Sequence, residues 1–305
     1  MSESLPAPSP ALPATLRLGT RPGKAAEARG ALLLEKIRNL DAAVRWERLI
    51  VPLEPGMDLD ALPEHDPEIA TLVRAALLDG RIDAAVHAIK DLPHGEAEGI
   101  RLAAVPQRED PRECLLARGG KKLADLPPGA RVGVDGGARE AGLLRIRPDL
   151  EAVRAAGPLG LRARRIETGE LDGAIVALAA ARRLGLHSAI AQIFGVSDMV
   201  PAAGQGAAAV EAPARERDLA RLLLGIDHLA TRWCVTAERD FEAAALSVGA
   251  LPLGAYAEVR DMKIHLRARL RTPGGEVRQD AELRPVEELA PLGRELARKM
   301  LEARA

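Results

Sequence analysis

The sequence predicts an α/β protein made of two units in which helices flank a sheet, followed by a small α+β unit at the C-terminal end. Three observations predict it. Apolar runs of strand length alternate with segments of helical spacing from Thr15 to Ile226, the pattern of layered α/β units. A glycine-flanked bend, "PAAGQG" at Pro201–Gly206, offers a crossover or hinge between the two units. Beyond Ala245 the pattern changes to long strands around a Pro-Gly-Gly turn, closed by an amphipathic helix.

Each element follows from local residues. "TLRLGTR" reads as a strand, "GKAAEARGALLLEKIRNL" has apolar residues at helical spacing, and "RWERLIVPL" returns to a strand, which completes a βαβ unit. "DPEIATLVRAALLDG" opens near a proline and ends at a glycine, the punctuation of a helix, and feeds the strand "DAAVHAI". "ECLLAR" and "ARVGVDG" read as strands, "AREAGLLRIR" and "LRARRIETGE" as helices, and "DGAIVAL" as a strand. After the bend come a small apolar strand, "GAAAVEAP", and the helix "RERDLARLLLGI". "HLATRWCVTAERDFEAAA" is a helix, "LGAYAEVRDMKIHLRARLRTPGGEVRQDAELR" a set of strands, and "PVEELAPLGRELARKMLEAR" the closing helix.

Composition narrows the chemistry. The chain of 305 residues is long enough for two or three compact domains, at roughly 100–200 residues each. With 43 Lys plus Arg against 44 Asp plus Glu, no global field draws it to nucleic acid or an anionic membrane. Aromatic residues are 2% of the chain, too few for a base-stacking platform. Cys114 and Cys234 stand far apart with no metal-ligand spacing, so neither a zinc site nor a disulfide framework is expected. "MSESLPAPSPALPA" lacks both a basic start and a continuous apolar run, and reads as a disordered leader on a soluble, cytoplasmic, monomeric protein.

Charges at strand ends carry the chemical signal. In "DAAVHAIKDLPHG" an apolar strand closes on Lys90 and Asp91. Ligands of α/β sheets gather beyond the carboxyl ends of strands, although a turn-capping aspartate beside a surface lysine would look the same. Arg21 ends the first strand, Arg139 follows "GVDGGA", Arg162 lies in "GPLGLRARR", and Arg182-Arg183 follow an apolar strand. Singly each reads as a solvated charge. Together they suggest a cleft for carboxylates, which guanidinium forks bind in pairs. "GQGAAA" and "VGVDGG" lack the spacing of nucleotide loops, and His87 and His94 lack metal-ligand spacing.

Seven stretches, "AVHAIKDLP", "QREDPRECLL", "RPDLEAVR", "DGAIVALAAARRLGL", "PAAGQGAAAVE", "VTAERDF" and "LPLGAYAE", resemble in this order the motifs of the porphobilinogen deaminase (hydroxymethylbilane synthase) family. The resemblance runs from about Leu16 to the C-terminal helix. It implies two α/β domains like the lobes of periplasmic binding proteins plus a small C-terminal α+β domain. On that reading the chain divides into a leader at 1–14, a first domain at 15–106 with 207–226, a second at 107–206 and a third at 227–305. The implied activity is a transferase reaction of porphyrin and heme biosynthesis. Four porphobilinogen molecules are joined into hydroxymethylbilane with loss of ammonia, on a dipyrromethane cofactor held by a cysteine thioether.

By the same resemblance Asp91 matches the catalytic aspartate, and Lys90, Arg21, Arg139, Arg162 and Arg183 match residues that bind substrate and cofactor carboxylates. Ala250 stands where the family carries the cofactor cysteine, Ala138 replaces an arginine, Asp135 replaces a hydroxyl, and Ala156-Gly157-Pro158 replaces Arg-Gly-Asn. Glu64 and Asp66 stand in a loop that is glycine- and lysine-rich in the family. The alternative expectation is a catalytically deficient or repurposed paralogue that keeps the fold and an anion-binding cleft. A solute-binding module is a third, against which the missing export signal and the third domain both argue.

Overall fold

The computed structural model describes residues 12–58, 67–95 and 97–302. The leader up to residue 11 and the loop carrying Glu64 and Asp66 lie outside the described residues.

The first sheet begins with β1 (Thr15–Thr20), α1 (Lys24–Arg38) and β2 (Arg45–Ile50), then α2 (Pro67–Leu78), β3 (Ala84–Ala88) and β4 (Ile100–Ala104). The chain then builds a second sheet from β5 (Glu113–Ala117), β6 (Arg131–Val134), α3 (Gly137–Ile146), β7 (Glu151–Arg154), α4 (Leu159–Glu167), β8 (Gly173–Ala177), α5 (Leu178–Arg183) and β9 (Ile190–Ile193). It returns to the first sheet through β10 (Ala208–Pro213) and α6 (Arg217–Leu223). A third unit follows: α7 (Leu229–Ser247), β11 (Leu251–Arg260), β12 (Lys263–Arg271), β13 (Val277–Pro285) and α8 (Leu289–Glu302).

The strand orders are β2-β1-β3-β10-β4, β7-β6-β8-β5-β9 and β11-β12-β13. In the first sheet β1 runs parallel to β2 and β3, while the returning β10 is antiparallel to β3 and β4. Two connecting segments, 105–112 and 194–207, therefore pass side by side between the sheets. They touch at Gly206, whose φ of +79° and lack of a side chain are both needed, since a Cβ would sit 2.8 Å from the Glu109 carbonyl oxygen.

Helix α1 shows how sequence pattern becomes packing. Ala26, Gly30, Leu33, Leu34 and Ile37 recur at helical spacing and form its buried stripe. Gly23 turns the chain with φ 111°, and its N–H donates to the Glu27 carboxylate at 3.1 Å, which also places a negative charge in the first turn. In the third unit α7 and α8 approach so closely at Gly293 that a Cβ would lie 2.3 Å from the Ala237 carbonyl oxygen. Phe241, Leu266, Leu292 and Leu296 fill the core between them and the sheet.

The architecture is the expected one of two α/β sheets and a small α+β unit, and the short strands are what the sequence pattern missed. β4, β7 and β9 have four or five residues and no clean alternation. The β11–β12 hairpin turns on Asp261 and Met262, both at positive φ (48° and 55°), a turn for which the usual Asn-Gly or Asp-Gly signal is absent.

Inside the first sheet, Glu211 of β10 accepts from Arg74 Nε and Nη2 at 2.9 and 2.6 Å, with His87 Nε2 3.3 Å away. Burial would push this carboxyl up, yet the His87 and Arg74 hydrogen bonds outweigh it and hold the pKa at about 2, below the ordinary 4.5. A depressed folded-state pKa contributes stability in full above pH 4.5 and loses it as pH falls towards 2. Glu211→Gln should therefore flatten the acid-unfolding profile between those two values. Unfolding free energies from urea titrations should differ from the parent by on the order of 2–3 kcal/mol at neutral pH and converge towards pH 2.

Candidate active site

A cleft of about 730 Å³ opens between the two α/β sheets. On one wall the end of β1 contributes Arg21, the start of α1 contributes Lys24 and Arg29, and the turn after β3 contributes Lys90 and Asp91. On the other wall are Gly157, Leu159 and Arg164 around the start of α4, and Arg183 at the end of α5. The walls between these charges are apolar, with Ala88, Ala177, Ala180 and Leu184 among them. This combination suits flat organic rings that carry acidic arms.

Asp91 is the buried anion of the cleft, 5% exposed. It sits in a one-turn 3-10 helix, Ile89–Asp91, that the Leu92 N–H closes on the Ile89 carbonyl at 3.2 Å. Arg21 Nε stands 3.8 Å from its carboxylate. Arg29 adds a cation to the same cluster: burial and the neighbouring Arg183 pull its guanidinium down to about 10, against the opposing pull of Asp91. Arg183 ion-pairs with Glu109, which belongs to the first connecting segment.

The predicted residues therefore separate into two groups. Lys90, Asp91, Arg21 and Arg183 meet in the cleft. Arg139 and Arg162 lie behind it. Arg139 Nε donates to Glu113 at 3.0 Å, both side chains being buried. Arg162 is fully buried, donates to the Gly157 carbonyl at 3.0 Å, and stands 3.7 Å from Asp135. Asp135, which replaces a hydroxyl, thus faces a buried arginine. Lys24, Arg29 and Arg164 are cleft cations that sequence reasoning did not single out. Arg29 left a signal: it falls beside the stripe Ala26, Gly30, Leu33, where a charge calls for a reason.

The third unit supplies no exposed thiol. Ala250 is 2% exposed, packs in the third core with Ala245 and Phe241, and its N–H donates to the Ala245 carbonyl at 3.0 Å. Cys234 lies in that same core, and burial together with nearby Glu238 pushes its thiol up to about 12. Cys114 is fully buried on β5, and burial, then Glu113, pushes it likewise to about 12. Nucleophilic cysteines need thiolate character and access; these two have neither. A dipyrromethane held by a thioether does not fit the residues present. Among the described residues no cluster of His, Cys, Asp and Glu could hold a metal, and no helix is long and apolar enough to cross a membrane.

A two-lobed α/β protein with a cation-lined cleft around one buried carboxylate is the class defined so far. The family model described as porphobilinogen deaminase, dipyromethane cofactor binding domain, matches residues 16–221. Porphobilinogen deaminase of Thermobifida fusca is 43% identical over 242 residues, covering 75% of this chain and 75% of that protein. The porphobilinogen deaminase of Thermus thermophilus is 35% identical over 288 residues, covering 93% of this chain and 95% of that protein. Among solved structures, the methionine binding protein MetQ aligns with a TM-score of 0.44 and 12% identity over 70% of this chain and 88% of that one. The chain belongs to the porphobilinogen deaminase family.

Proposed function

We propose that this chain is a hydroxymethylbilane synthase, a cytoplasmic transferase that joins porphobilinogen units head to tail with loss of ammonia. The observation that carries the reading is the Asp91 carboxylate, buried on the wall of a cleft whose other charges are predominantly cationic. Each pyrrole brings an acetate and a propionate, and Arg21, Lys90, Arg29 and Arg183 are the groups that would hold them. Arg139 and Arg162 would act one layer back, by fixing the second lobe's strand ends.

In each condensation the aminomethyl carbon of one pyrrole loses ammonia, leaving a cationic azafulvene. The free α-carbon of the next pyrrole attacks it, a carbon–carbon bond forms, and the α-proton is lost. Positive charge passes through the ring nitrogens on both sides of that step. A fixed, largely buried carboxylate stabilises this charge and can accept an N–H hydrogen bond, which lowers the barrier by electrostatic and acid–base means. The missing thiol removes a covalent anchor. It leaves the carboxylate and its cations in place, and the names of the relatives favour this reading over a repurposed paralogue. The near-neutral charge and few aromatics favour a small-molecule partner over nucleic acid; a monomer is the simplest assembly.

Purified protein should consume porphobilinogen, followed with Ehrlich's reagent, with one ammonia released per unit consumed. Its intact mass should equal that of the bare polypeptide, because neither cysteine is accessible as a thiolate. Absence of substrate loss at micromolar enzyme would overturn the function. A stable added mass of two pyrrole units would overturn the absence of a covalent anchor.

A further inference from the structure

The turn that carries Asp91 is held from outside its own domain. Arg239, midway along α7, donates from Nη1 to the Ile89 carbonyl at 3.0 Å, and from Nη2 to the Leu92 and Pro93 carbonyls at 3.1 and 2.7 Å. These three acceptors bracket Lys90 and Asp91 on both sides. The Ile89 side chain is wedged from another direction: a Cβ on Gly204, at φ +72°, would come within 2.4 Å of it. The Ile89 N–H donates to the Ala207 carbonyl at 3.1 Å. The turn is thus held at both ends by guanidinium and hinge backbone, while its middle faces the cleft.

We infer that Arg239 is a positioning residue for Asp91: its planar fork fixes the carbonyls on either side of the turn and thereby the direction of the carboxylate. The inference rests on the function proposed above. The chemistry of the contact supports it. A guanidinium taken out of water normally finds a carboxylate, whereas here its donors go to three carbonyls of one short turn. Lysine, a single point of donors on a flexible stem, cannot span acceptors on both sides of the turn in one geometry. A displacement of about 1 Å at a catalytic group costs on the order of 100-fold in rate.

The test compares Arg239→Gln, Arg239→Lys and a control on the same helix, Arg232→Gln, which breaks the Arg232 contacts to Asp227 and the Ala103 carbonyl and leaves the turn alone. Arg239→Gln should lower kcat for porphobilinogen about 30- to 100-fold with KM within about threefold, since the cleft cations remain. Arg239→Lys should recover only part of that loss. Hydrogen exchange of the backbone amides at 89–92 should rise about tenfold or more in Arg239→Gln and stay unchanged in Arg232→Gln. Equal kcat loss in the control, or unaltered exchange of the turn in Arg239→Gln, would overturn the assignment. Absence of turnover in the parent protein overturns the proposed function instead, and the exchange measurement still decides whether Arg239 holds the turn.

Discussion

Replacing Asp91 with asparagine should lower kcat for porphobilinogen by about 10²- to 10⁴-fold, the range expected when a single electrostatic or acid–base group is lost from a reacting centre. Asparagine keeps the shape and one acceptor oxygen, so the 3-10 turn and the Arg239 contacts stay intact and the experiment removes charge alone. Binding should move the other way. With the buried anion gone, Arg21 and Arg29 lose a competitor for the substrate's acidic arms, and porphobilinogen should bind equally well or more tightly by calorimetry. A fall in kcat with unchanged or lower KM identifies an interaction used in the transition state. If the asparagine variant keeps a third or more of the parent kcat, Asp91 is a structural counter-ion to Arg21 and the mechanism proposed for it is wrong.

How far the sequence revealed this site depends on what each residue type can signal. The Lys90-Asp91 pair was legible because it follows a mostly apolar strand, β3, beyond its carboxyl end. Arg139 and Arg162 were equally close to strand ends, but proximity along the chain does not say which side of a helix faces the ligand. Their helices give that information. Arg139 shares a buried face with Gly142 and Leu143, and Arg162 shares one with Leu159 and Ile166. Spacings of three, four and seven residues thus placed both arginines against the core of the second lobe. Contacts made across the whole chain had no local signature at all. Arg239 reaches residues 146 to 150 positions away, and nothing in "VTAERDF" announces that its arginine serves the turn in "AIKDLP". Ala250 matched the cofactor-cysteine position only by resemblance; that it packs in the third core required the structure.

The largest loss of stability should come from Glu238→Ala, one residue before the arginine that holds the Asp91 turn. Glu238 is completely buried, and it ties three parts of the chain together. Its carboxylate accepts from Arg108 Nη1 and Nη2 at 2.6 and 3.1 Å, from the Gly204 N–H at 2.7 Å and from the Ala257 N–H at 2.7 Å. Arg108 belongs to the first connecting segment between the lobes, Gly204 to the second, and Ala257 to β11. Burial pushes the carboxyl up, and the Arg108 fork and the two backbone donors oppose it. Four donors directed at two oxygens are satisfied by the ionised form. Truncation to alanine would leave Arg108 buried without its anion and two peptide N–H groups without acceptors, a loss of about 3–5 kcal/mol. The apparent unfolding midpoint should fall by roughly 10 °C or more. Glu238→Gln keeps the volume and one acceptor oxygen, and should lose less than alanine while still weakening the Arg108 pair. The double variant Arg108→Met with Glu238→Leu separates attraction from the cost of an orphaned charge. If the buried pair holds the hinge only by avoiding that cost, the apolar double variant should regain the part of the loss due to the orphaned Arg108, while the Gly204 and Ala257 N–H groups still lack acceptors. An alanine variant that melts within about 2 °C of the parent would mean that water reaches the junction and that the two connecting segments are held by their backbone contacts alone.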